Sequence, residues 1–293
     1  MNNKTGTKIK SKAAFNSIAF ISGRMGSVFN STVAKGIENH VACLGGKKKS
    51  ILYHLPRDSS DEACSAEIID VIKQGEADGL ICLSFTPAES AVRKIIKSKI
   101  PAVFIERKIK GLHSVKVDNF KGGYTAGEYL AKKGYKKAGL IIDPQCRDEK
   151  SASYERLMGF KSALDFYGLK PVKGAAVTAC RHSIECGRDV FEEFEDTLKG
   201  VDSVFSVAGD LVAIGFMMEA KAGGIRFPKD IALIGYDGVE AAKAVTPVLT
   251  TIKQPIETMG MEAVEIINGC LKGSLDGVKH LDIDTEMSEG GTV

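Results

Sequence analysis

The sequence predicts an α/β chain of two doubly wound parallel-sheet lobes, and three observations carry that prediction. Short β-rich runs alternate with amphipathic helical stretches along the whole chain, the pattern of a parallel sheet covered by helices on both faces. The alternation falls into two consecutive series. The length, 293 residues of which 44% are hydrophobic, exceeds the roughly 100 to 150 residues that one domain commonly holds.

In the first series Ile18 to Ile21 reads as a strand. Phe29, Val33, Ile37, Val41 and Leu44 then recur every three or four residues, which marks one buried helix face that Gly45-Gly46 ends. Strand Ile51–Leu55, helix Asp61–Gln74, strand Gly79–Ser84, helix Pro87–Ser98 and strand Ala102–Ile105 follow, with Pro87 suited to a first helical turn. After a strand at Val115–Val117, Asp118 and Asn119 are both good helix caps, and Gly134 supplies a left-handed stop after Lys133.

The second series runs through strand Gly139–Ile142, helix Ser151–Tyr167, a weak strand at Ala175–Thr178, helix Ser183–Leu198, strand Ser203–Val207, helix Leu211–Ala222 and strand Ile231–Gly235. Strand Thr250–Ile252, helix Pro255–Leu271 and strand Leu281–Ile283 come last, more than either series needs for a simple repeat.

Composition narrows the function. A formal charge of +3, from 40 basic against 37 acidic residues, is too balanced for the broad basic face that phosphate-backbone binding requires. The first fifteen residues carry Lys4, Lys8, Lys10 and Lys12 and no acid; they read as a solvated basic tail or as an arm touching phosphate. No apolar signal core follows those lysines and no run reaches the eighteen apolar residues of a spanning helix, so a cytoplasmic protein with no membrane contact is expected. Seven cysteines, odd in number and without a Cys-x-x-Cys pair, fit reduced thiols packed mostly as small core residues.

Familiar catalytic patterns are missing. No phosphate loop and no nucleophile elbow is present, and Ser22-Gly23-Arg24-Met25-Gly26-Ser27 has the wrong glycine spacing for a dinucleotide fingerprint. Five scattered histidines offer no paired helical metal ligands; Cys180, His182 and Cys186 are the one close cluster, and a chance grouping at a helix start is preferred to zinc. The chain is therefore expected to be no enzyme, with no cofactor and no metal.

Five stretches stand in a fixed order: Val117-Asp118-Asn119 to Gly127, Arg156-Leu157-Met158-Gly159-Phe160, Asp210-Leu211-Val212-Ala213-Ile214-Gly215, Ile234-Gly235-Tyr236-Asp237 and above all Thr246-Pro247-Val248-Leu249-Thr250-Thr251-Ile252-Lys253-Gln254-Pro255. Together they resemble the effector-binding domain of the lactose/galactose-repressor family, the first its strand-helix crossing between lobes and the second its Arg-x-x-Gly-aromatic. Each motif is weak alone; their order is specific.

The resemblance implies a periplasmic binding protein-like type I fold with three crossovers. Residues 1–16 are expected as a basic linker or tail, 17–134 with 254–279 as the N-terminal lobe, and 135–253 with 280–293 as the C-terminal lobe. It implies a small-molecule effector, sugar or nucleoside/purine-like, bound where the carboxyl ends of the strands meet. Homodimers and operator DNA are implied partners, DNA only through a head domain that this sequence does not contain. A transport binding protein of the same fold is the alternative.

Seven residues are candidates for the ligand. Arg156 offers a planar five-donor fork, with a surface salt bridge as its other reading, and Asp237 follows an apolar strand directly, with a helix cap as its other reading. By resemblance the two match the family's ligand-contacting arginine and aspartate. His182 stands where the family's stacking aromatic is expected, with an exposed loop histidine as its equally weighted other reading, and Gln254 resembles a family cleft residue. Gly209 replaces the Asn that sugar-binding members often carry, which counts against a sugar. Arg24 and Phe29 lie in the loop after the first strand, Phe29 with core packing as its alternative.

Overall fold

The computed structural model of the chain describes residues 15–23, 27–44, 49–198 and 200–293. The expected basic tail falls almost wholly outside the described residues, as do Arg24 and Gly45-Gly46. In chain order the elements are β1 (Ser17–Ile21), α1 (Val28–Cys43), β2 (Ser50–His54), α2 (Asp61–Gln74), β3 (Gly79–Leu83), α3 (Glu89–Ser98), β4 (Ala102–Ile105), β5 (His113–Val117), α4 (Asn119–Lys132) and β6 (Ala138–Ile142). They continue as α5 (Ala152–Phe166), β7 (Ala176–Thr178), α6 (Ile184–Leu198), β8 (Ser203–Ser206), α7 (Asp210–Ala222), β9 (Ala232–Asp237), β10 (Thr250–Lys253), α8 (Ile256–Leu271), β11 (His280–Ile283) and β12 (Glu286–Ser288). Short 3-10 turns stand at Pro144–Arg147 and Glu240–Lys243.

Two units form, Met1–Lys116 with Ile256–Leu281 and Val117–Pro255 with Asp282–Val293, so the chain passes between them three times. The first unit is built on a sheet of order β11-β5-β4-β3-β1-β2, parallel through β2, β1, β3, β4 and β5. Helix bounds there follow local chemistry. Ser60 accepts from Ala63 N at 3.1 Å to start α2, and Gly75, at φ 68°, ends it. Cys64, Ile68 and Val71 of α2 bury against Ala19 and Ile21 of β1.

The second unit repeats the plan, with strand order β12-β10-β9-β8-β6-β7. All its pairs are parallel except β10 with β12. Successive strand residues serve opposite faces: Val204 and Leu233 join the core beneath α6 and α7, while Phe205, Ile234 and Tyr236 join the one beneath α4 and α5. Phe160 of α5 stacks on Phe205 with centroids 4.7 Å apart, a pair worth about 1 kcal/mol beyond its area. Both faces are thereby covered, as a parallel sheet demands.

The structure differs from two expectations and adds one strand. The sequence places the helix after β5 in the first lobe, with the boundary at residue 134; the chain instead changes unit at Lys116/Val117, and α4 belongs to the second. The cause is close packing of α4 on α5, where a Cβ on Gly123 would lie 1.9 Å from Arg156 O and one on Gly159 equally near Phe120 O. Pro87 is not in the first turn of α3, because Ala88 N–H donates to Ser65 Oγ at 2.8 Å and holds the chain extended there. The antiparallel edge strand β12, three residues long, is too short to show a period in sequence.

Candidate functional site

In the second sheet β6, β8, β9 and β10 run parallel, so the residues that follow each strand collect along one edge. Asp143 follows β6, Val207 to Gly209 follow β8, Asp237 ends β9 and Gln254 follows β10. The sheet also reverses its winding between β6 and β8, the switch point outside which open α/β sheets bind ligands. What stands at that edge is polar and largely buried.

Arg156 is its centre. Ser151 caps α5 by accepting from Tyr154 N at 3.0 Å, and the Gly123 contact fixes how closely the Arg156 backbone lies on α4. With the residue only 6% exposed, Nε donates to Asn119 Oδ1 at 2.8 Å, Nη1 donates to Val207 O at 3.4 Å, and Nη1 lies 3.6 Å from Asp237 Oδ1. The guanidinium sits 3.9 Å from the centroid of the Tyr236 ring, close enough for cation–π attraction. A surface salt bridge is thus not its role. Asp118 alone caps α4, accepting from Lys121 N at 2.8 Å, which leaves Asn119 to accept from both Arg156 and the Tyr236 hydroxyl, the latter at 3.3 Å.

Asp237 has φ 109°, a conformation that costs a non-glycine residue free energy and persists only where neighbours impose it. Asp210 imposes it. Its Oδ2 accepts from Gly238 N at 2.8 Å and Val239 N at 2.9 Å, and its Oδ1 accepts from Thr251 Oγ1 at 2.6 Å. The helix-cap reading of Asp237 is excluded by the same geometry. Gln254 Nε2 donates to Asp237 Oδ1 at 2.7 Å, while Gln254 Oε1 is buried without a partner among the described residues.

Burial pushes the Asp237 carboxyl up, and the Arg156 guanidinium is the first influence against it, then His182. The Asp210 carboxyl is pushed up to about 8, by burial first and the Asp237 charge second. Gly209 closes the floor. It has φ 97° and ψ 176°, and a Cβ there would meet Asp237 Oδ2 at 2.6 Å.

His182, with its side chain 44% exposed, donates from Nδ1 to Ala208 O at 2.9 Å, and its Nε2 lies 3.7 Å from Asp143 Oδ2. Asp143 is 2% exposed and accepts from Gln145 N at 2.8 Å and Ser153 Oγ at 2.7 Å. The structure therefore brings together Arg156, Asp237, His182, Gln254 and Gly209. Phe29 is half-buried in the first turn of α1, in the other unit, so the continuous buried face expected of that helix begins at Val33.

Asn119, Tyr236 and Asp143 join the site in the structure without standing among the residues that the sequence points to. The signal for Asp143 existed: it follows the apolar strand β6 directly, as Asp237 ends β9. Chemically the edge presents acceptors at Asp237, Asp143 and Gln254 beside the Arg156 donors, with the His182 ring at its rim, a set that suits hydroxyls or ring N–H groups. Among the described residues no group of three His, Cys, Asp or Glu side chains is placed to hold a metal ion, and no helix is long and apolar enough to cross a membrane.

The family model of the periplasmic binding protein-like domain matches residues 128–293. The chain is 28% identical over 227 residues to the HTH-type transcriptional repressor PurR of Edwardsiella ictaluri, covering 76% of this chain and 65% of that protein, less than two thirds of its length. A LacI family transcriptional regulator from Enterococcus faecium with bound ribose has the same fold, with a TM-score of 0.79 at 24% identity over 94% of this chain and 98% of that one. The lac repressor dimer bound to operator and the anti-inducer ONPF matches with a TM-score of 0.80 at 21% identity over 94% and 93% of the two chains.

Proposed function

Since the chain belongs to the periplasmic binding protein-like domain family, and within it to the LacI/GalR regulator type, we propose that the strand edge of its second unit binds a small effector, a sugar or a nucleoside/purine-like molecule. The single observation that carries this reading is Gln254 Oε1, a buried acceptor with no donor, held beside Asp237 and near the Arg156 guanidinium. An orphaned buried acceptor costs about 1 to 3 kcal/mol, and a ligand hydroxyl or N–H donating to it would recover that cost on binding. Asp237 would accept from the next hydroxyl or ring N–H, and Arg156 would orient the ligand's acceptor edge.

The effector acts by differential affinity, biasing a two-state equilibrium of a cytoplasmic homodimer whose DNA-reading head would sense the state. Ribose in the Enterococcus faecium regulator and the dimeric, operator-bound form of the lac repressor support the sugar and the assembly. A transport binding protein is disfavoured, since the relatives are transcriptional regulators.

A thermal-shift panel of pentoses, hexoses, disaccharides, nucleosides and purine bases tests the reading, with Asp237→Asn and Gln254→Ala beside the parent. One ligand that raises the melting temperature of the parent and of neither variant is the expected result. A ligand that stabilises all three equally would place binding elsewhere, and a folded parent that no panel member shifts would overturn the small-effector reading.

A further inference from the structure

Cys180 and Cys186 flank the His182 loop at the start of α6, and their Sγ atoms are 3.6 Å apart. We infer that these two thiols are a redox pair, closed to a disulfide by a hydroperoxide and reopened by a thiol reductant. Three features of the loop support this. The pair is asymmetric: Cys180 is exposed and Cys186 is 1% exposed, so an oxidant in water meets Cys180 first. Burial also pushes the Cys186 thiol up, which keeps it protonated and inert while the exposed Cys180 meets the oxidant.

The Cys186 side is fixed. Its N–H donates to Ser183 Oγ at 3.2 Å, its sulfur accepts from Arg181 N at 3.4 Å, and a Cβ on the adjoining Gly187 would lie 2.2 Å from Val212 O of α7. The first turn of α6 therefore stays in place. Closure from 3.6 Å to the roughly 2.05 Å of an S–S bond needs about 1.5 Å of movement, which falls on the exposed Cys180 side.

The chemistry balances. With hydrogen peroxide as the hydroperoxide, Cys180 sulfur attacks one oxygen, the O–O bond breaks, and Cys180 sulfenic acid and one water form. Cys186 sulfur then displaces the sulfenic oxygen as a second water, so two thiols lose two electrons and two protons to one hydroperoxide. Between the linked residues lies His182, bonded to Ala208 O; the link would lock that loop against the site floor. Any consequence for effector binding rests on the function proposed above, whereas the bond itself does not.

Arg181 separates the two cysteines, so trypsin places them in different peptides, residues 174–181 and 182–188. The full chain is treated with hydrogen peroxide, its free thiols are blocked with N-ethylmaleimide, and the digest is mapped without reductant. A linked pair of these two peptides is expected, lighter by two hydrogens than the free peptides together, removed by dithiothreitol and lost in Cys180→Ser. Blocked thiols at both positions after treatment, Cys180 over-oxidised with no link, or Cys180 linked to a second chain would each overturn the pair. Because Cys180 is exposed, its serine variant folds, and parent mapping decides the matter without any ligand.

Discussion

Gly123→Ala tests the packing that seats Arg156. Added at Gly123, a Cβ would stand 1.9 Å from Arg156 O, where ordinary contact begins at 3.4 Å, so α4 and α5 must part by about 1.5 Å. Both partners are helix backbone and cannot rotate away. Overpacking of this kind costs about 3 kcal/mol, against a gain of about 1 kcal/mol from replacing a mid-helix glycine by alanine, a net loss near 2 kcal/mol. The same movement would stretch the 2.8 Å bond from Arg156 Nε to Asn119 beyond hydrogen-bond range.

The chain has no tryptophan, and two units need not unfold together, so the assay reads buried thiols. Cys146 reports the second unit and Cys82 the first. Pulsed thiol labelling across a urea series should show Cys146 protection lost at lower urea in Gly123→Ala, with Cys82 unchanged. Gly223→Ala is the control, since a Cβ there meets nothing nearer than 3.5 Å; it should match the parent to within about 1 kcal/mol. Equal midpoints for Cys146 in the two variants would refute the packing argument.

The remaining predictions concern the same unit. Asp210 has a raised pKa, so its contribution to stability is present below the ordinary carboxyl range and is lost as pH rises through about 8. Asp210→Asn can keep the two bonds from Gly238 N and Val239 N with its oxygen, and its amide NH2 would donate to Thr251 Oγ1 in place of accepting from it; it should flatten the decline of the Cys146 midpoint between pH 5 and pH 9, and an unchanged slope would refute the assignment. Ser151→Ala removes the cap of α5 and should cost about 1 kcal/mol by the same labelling. Tyr236→Phe removes the 3.3 Å bond to Asn119 at about 1 kcal/mol but keeps the ring beneath Arg156, so the ligand that shifts the parent should still shift this variant.

Periodicity made most of the fold legible. The bounds of α2 come directly from its apolar spacing between Ser60 and Gly75, because cap and stop are local chemistry. The unit to which α4 belongs was not legible, since its apolar stripe would suit either lobe and the choice is made by glycines that admit another backbone. Asp118 and Asn119 are alike as local caps. Arg156, 37 residues away, and Tyr236, 117 away, draw Asn119 out of that role, and distant partners leave no local trace. Arg156 and Asp237 were legible through motif order, and the sheet topology supplies the reason they meet.

Gly209 is where the structure changes the meaning of a residue. As a sequence feature it counts against a sugar only through the family resemblance, which implies an Asn at that place in sugar-binding members. Its backbone, at φ 97° and ψ 176°, lies in a region open essentially to glycine alone, and its Cα faces Asp237 Oδ2 so closely that a Cβ would sit 2.6 Å from the carboxylate. In this chain the glycine is fixed by its backbone conformation and by the approach of Asp237, so its presence alone does not argue against a sugar. Gly209→Asn should therefore destabilise the second unit by about 1 to 3 kcal/mol, displace Asp237 and weaken the parent's ligand without conferring a new one. Measured by Cys146 labelling and the ligand panel together, a variant as stable as the parent that gains a pentose would restore Gly209 as a determinant of specificity.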